Sequence, residues 1–108
     1  MRTAHEHRFA AADWPFADPE YVAAFTTVHV LEGQRPILLV THDADDGAWQ
    51  ILCDTTNRTE DGRVECLGCL FERDRSIGEL ADLPLGWRAR REAVGQPWTR
   101  ELRPDDED

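Results

Sequence analysis

Two apolar, β-prone runs divided by one turn constrain this chain more than any other feature. Ile37-Leu38-Leu39-Val40-Thr41 is continuously apolar up to its last residue, the pattern of a strand covered on both faces. Asp43-Ala44-Asp45-Asp46-Gly47 follows. Its Asp-Gly pair supplies the positive φ that a hairpin turn needs. Ala48 to Cys53 then reads as the returning strand. Thr26 to Leu31 is a third β-prone run, separated from the first by the turn signal Glu32-Gly33-Gln34-Arg35-Pro36. Connections this short predict an antiparallel meander.

The remaining segments fit around that sheet. Asp18-Pro19-Glu20 carries an N-cap acid, a proline at the first helical position and an acid in the first turn, which predicts a short helix to Ala24. Asp54 to Gly62 reads as a loop and Arg63-Val64-Glu65 as a short strand. Leu67, Leu70 and Phe71 at helical spacing predict a helix over Cys66 to Arg73. Ser76 with Glu79 forms a capping-box pattern for a second helix ending before Pro84. Gly86 to Ala93 and Trp98 to Leu102 read as a hairpin. The expected architecture is α+β, an antiparallel meander of four to six strands with two or three short helices. Residues 1–13 are expected to be a flexible arm, 14–103 a single domain, and 104–108 a solvated acidic tail.

Charge narrows the range of functions. The 108 residues carry 12 basic and 22 acidic side chains, a formal charge of −10. That balance disfavours nucleic-acid and anionic-membrane surfaces, which need a positive patch to meet phosphate. Every basic residue is arginine, so a Schiff-base or P-loop lysine is excluded. No apolar run reaches the length of a membrane span, and no signal-peptide pattern precedes the domain. The expectation is a cytoplasmic protein with its three cysteines reduced.

Several constellations bear on chemistry. Cys66 and Cys69 form a C-x-x-C pair, and with Cys53 and His42 they supply the donor types of a three-thiolate, one-imidazole zinc site. The opposing reading makes these cysteines small core residues among Leu67, Leu70 and Phe71. A thioredoxin-like role would need a βαβ unit around the pair, which the meander does not supply. The aspartates of the turn do not fit a calcium loop, because Gly47 falls at the fifth position rather than the sixth. Ser76, the only serine, is explained as a helix cap and not as a nucleophile. Arg88, Arg90, Arg91, Arg100 and Arg103 gather near Trp87 and Trp98. They read either as an interface or, preferably, as charge balance against Glu92 and Glu101 in cross-strand pairs.

The segments Pro36 to Asp43, Asp45 to Gln50 and Asp82-Leu83-Pro84-Leu85-Gly86-Trp87, followed by Trp98, resemble a family of small acidic uncharacterised bacterial proteins. That family shares P-I-L-x-V-x-H-D, D-D-G-x-W-Q and D-L-P-x-G-W stretches, and is loosely similar to toxin-immunity proteins. Cys66 and Cys69 lie outside its pattern. The resemblance implies a non-catalytic protein-binding domain that masks a basic partner. Charge would speed the encounter. Asp43, Asp45, Asp46, Trp49 and Trp87 are the expected contact residues. The alternative is a zinc-stabilised domain using Cys53, Cys66, Cys69 and His42.

Overall fold

The structure is a computed structural model that describes residues 9–53 and 58–103. Its strands are β1 (Ala23–Thr27), β2 (Leu39–His42), β3 (Trp49–Leu52), β4 (Gly62–Cys66), β5 (Trp87–Arg90) and β6 (Thr99–Leu102). Alongside two α-helices, α1 (Val28–Leu31) and α2 (Leu67–Arg73), there are 3-10 turns at Ala11–Asp13, Thr59–Asp61 and Arg75–Leu80. The fold is α+β, as expected. No helix among the described residues is long and apolar enough to cross a membrane.

The six strands form one mixed sheet in the order β4-β1-β3-β2-β5-β6. The β2–β3 hairpin forms in the expected place, with His42 opposite Trp49 and Leu39 opposite Leu52. The meander does not extend to β1. That strand lies parallel to β3 and antiparallel to β4. The cause is local. The expected strand over Thr26 to Leu31 stops at Thr27, whose hydroxyl caps a helical turn by accepting from the Val30 N–H at 3.4 Å. The chain therefore crosses over instead of turning back beside itself. The helix expected over Pro19 to Ala24 is a single turn, closed by Val22 N–H to Pro19 C=O. β5 and β6 pair as a hairpin with a long connection, Arg90 opposite Thr99.

One face of the sheet carries the core. Thr26, Ile51, Val40 and Ala89 lie in one buried row, and α2 with the following 3-10 turn contributes Leu67, Leu70, Phe71, Ile77 and Leu80. Phe9, Trp14, Phe16, Trp49 and Phe71 make an aromatic cluster with centroid spacings of 5.0–6.4 Å. The arm expected over residues 1–13 does not include Phe9. Phe9 is in the core, while residues 1–8 and the tail 104–108 lie outside the described residues. Gly78 is where the 3-10 turn approaches most closely. A Cβ there would sit 2.8 Å from a Phe71 ring carbon and 3.0 Å from Pro15 Cγ.

A buried arginine holds the far end. The Arg91 guanidinium donates to Ile37 C=O from Nε and from one terminal nitrogen, to Ser76 Oγ and to the Asp74 carboxylate. It also lies under the Trp98 ring, 4.3 Å from the centroid. Asp74, not Ser76, caps the 3-10 turn by accepting from Ser76 N–H. Burial pushes the Asp74 carboxyl up, but hydrogen bonds from Ser76 and Arg91 outweigh it and hold the group below its ordinary value. A carboxyl held low in the folded state contributes stability above its unfolded pKa and loses it as pH falls through the lowered value. Acid titration is therefore expected to destabilise the fold below about pH 4, and Asp74→Asn to flatten that limb. Arg91→Met is expected to destabilise by about 3–5 kcal/mol in urea unfolding, because Asp74 and Ile37 C=O lose their partner. An unchanged midpoint would remove Arg91 from this role.

Candidate functional site

The β2–β3 turn is latched to the loop before β5. His42 stacks on Trp49 with ring centroids 3.8 Å apart and planes at 10°. Its Nδ1 lies 2.7 Å from Leu83 C=O, which fixes Nδ1 as the donor. Gly86 N–H returns a bond to His42 C=O at 2.7 Å, and His42 pairs with Trp87 across the strands. The turn closes with Asp43 N–H to Ala48 C=O and Gly47 N–H to Asp43 C=O, and Gly47 takes φ +72°. The β2–β3 turn and the Leu83–Gly86 loop are therefore two halves of one latch.

The expected contact residues separate into three groups. Trp49 is core, 1% exposed, and its Nε1 donates to Asp18 at 3.3 Å, so it is not a surface anchor. His42 stacks on its ring and Phe16 meets it in a T-shaped contact with centroids 5.2 Å apart. Trp87 is half-buried and packs against the core. Asp43 is half-buried, accepting from Gln50 Nε2 at 2.9 Å and from Arg103 at 2.9 Å. Asp45 and Asp46 are exposed, and neither joins an ion pair among the described residues. Asp46 uses one carboxylate oxygen to accept from Ala48 N–H. Leu85, 55% exposed, lies against the same turn, with its Cδ2 3.9 Å from where a Cβ on Gly47 would stand. Sequence reasoning passed over Leu85; its position between Pro84 and a glycine carried the only signal.

The sheet face opposite the core adjoins the turn. One row runs across all six strands as Val64, Phe25, Gln50, Thr41, Arg88 and Glu101. Its first two members are exposed apolar side chains, Phe25 at 47% and Val64 at 61%. Its last two are an ion pair at 2.6 Å, the cross-strand charge pairing expected of this region. A groove of about 710 Å³ lies on this face, lined by Phe25, Leu52, Val64, Gln50 and, at the root of the turn, Asp43.

The four proposed zinc ligands do not converge. Cys66 caps α2 and accepts from Cys69 N–H at 3.1 Å, so these two are neighbours. Cys66 pairs with Ala23, whereas Cys53 follows β3 at the level of Val28, about 16 Å along the strand direction. Cys53 is buried near His29. His42 is three strands from Cys66, about 14 Å, and its Nδ1 is engaged by Leu83.

Among the described residues, then, the molecule is a two-layer α+β domain with a latched acidic turn and an uncovered sheet face. Comparison with protein-family models, curated proteins and solved structures finds no match to this chain.

His42→Ala is expected to lower stability by about 1–3 kcal/mol, since Leu83 C=O loses its donor. Asp45→Asn with Asp46→Asn is expected to stay within about 0.5 kcal/mol of the parent. Thermal unfolding of the two variants checks the division between latch and exposed surface.

Proposed function

We propose that the protein is a non-catalytic binding domain that engages a basic protein partner through the Asp45–Asp46 turn. The observation that carries this reading is the pair of exposed carboxylates on a turn fixed from behind, with exposed Leu85 against it. A fixed turn loses little freedom on binding, so more of the contact energy appears as affinity. Leu85 offers apolar contact inside an acidic surround, the core-and-rim arrangement of protein interfaces. The net charge of −10 would steer a positively charged partner towards the domain. Such a domain can act by covering a positively charged cleft on its partner. Two of the side chains that acid–base or nucleophilic chemistry could recruit are engaged in structure: His42 holds Leu83, and Ser76 bridges Asp74 and Arg91.

Capture from an extract of the source cells on the immobilised protein tests this. A basic protein is expected to be retained at low salt and released as salt rises. The same column carrying Asp45→Asn with Asp46→Asn is expected to lose it, and Leu85→Ala to weaken it. Retention of nothing by the parent, or equal retention by the charge variant, would refute the reading.

A further inference from the structure

A second cluster lies at the β4–α2 junction. Carboxylate and thiol atoms of Glu65, Cys66 and Cys69 all stand within 4.8 Å of one another. Tetrahedral zinc with bonds of about 2.3 Å to sulfur and 2.0–2.2 Å to oxygen sets its ligand atoms about 3.3–3.8 Å apart, so a small closure of this triad meets the requirement. We propose that Glu65, Cys66 and Cys69 form a zinc-type metal site of two thiolates and one carboxylate, its fourth position taken by water or an added ligand.

Two features support it beyond proximity. The donors come from a strand end and a helix start whose backbone is already tied. Leu67 N–H bonds Val22 C=O and Gly68 N–H bonds Glu20 C=O, each at 2.8 Å. The ligands are also oriented from behind, since Cys69 N–H donates to Cys66 Sγ and Cys66 N–H donates to Glu65 Oε1 at 2.9 Å. Such outer bonds fix thiolate and carboxylate ligands in metal sites. Metal binding balances: one M²⁺ enters, two thiol protons leave to solvent, two metal–sulfur bonds form, and the Glu65 carboxylate adds the third ligand bond.

Cobalt(II), an optical stand-in for zinc, and zinc itself by equilibrium dialysis test the site on reduced full-length protein. The parent is expected to bind one equivalent of either metal. The cobalt form is expected to show thiolate-to-metal charge transfer and the visible bands of tetrahedral geometry. Cys53→Ala is expected to bind as the parent does. Cys66→Ser, which keeps a helix cap, and Cys69→Ser are expected to lose the charge-transfer band and the stoichiometric metal, and Glu65→Gln to bind more weakly. The proposal fails if the reduced parent retains no metal, if both serine variants bind as the parent does, or if Cys53→Ala abolishes binding. It fails equally if mass spectrometry shows the parent losing two hydrogens to a Cys66–Cys69 disulfide under conditions in which no metal binds. None of these outcomes depends on a protein partner.

Discussion

The fold depends most on a buried charge. Arg91 ties the α2 exit, through Asp74 and Ser76, to the sheet end formed by the segment entering β2 at Ile37 and the β5–β6 connection at Trp98. Its side chain is 1% exposed. A guanidinium so placed is tolerable only because carbonyl, hydroxyl and carboxylate partners replace its water. Once they do, the end of the sheet bearing Leu39 and Arg90 is fixed.

The opposite end is fixed at the turn. There the Nδ1 donor of His42 and its stack on Trp49 bind the β2–β3 turn to the loop from Leu83 to Gly86, and Arg103 pairs with Asp43. With both ends held, the sheet can leave its outer face uncovered among the described residues and still be well determined, because register is specified on the buried face. Phe25 and Val64 then remain exposed as neighbours. What is presented outward follows from what is used inward: His42, Trp49 and Asp43 serve the latch, and Asp45, Asp46 and Leu85 are left to solvent.

The legible parts of this fold are those where one local signal dominates. The Asp46-Gly47 turn and its two apolar flanks specify the hairpin, and the Leu67, Leu70, Phe71 spacing specifies α2. The illegible parts depend on distant partners. Thr27 is β-prone by composition, yet its hydroxyl starts a helix. Arg91 sits between exposed Arg90 and Glu92, and nothing local marks it as buried. Trp49 reads equally well as anchor or core, and only the rings of His42 and Phe16 decide. The Cys66–Cys69 spacing is legible, but Glu65 carries no such signal, because an imidazole or a further thiolate is the more usual partner of a C-x-x-C pair. Cys53 and His42 matched by residue type and are excluded by register.

The turn and the Glu65–Cys66–Cys69 cluster occupy the same end of the sheet. Glu65 pairs with Ala24, and β1 is followed directly by β3, whose first residue Trp49 leaves the turn. Two strand spacings, about 10 Å, therefore separate β4 from the root of the turn. That spacing exceeds the Debye length at physiological salt, so exposed charges at the two places couple weakly. The proposed metal chemistry would weaken the coupling further. A dication adds two positive charges, two thiol protons leave, and the net change is zero. Metal occupancy would stiffen the β4–α2 junction while leaving the electrostatic pull of Asp45 and Asp46 on a basic partner nearly unchanged. With both proposals in place, stability and encounter rate would be separable properties of one end of the domain.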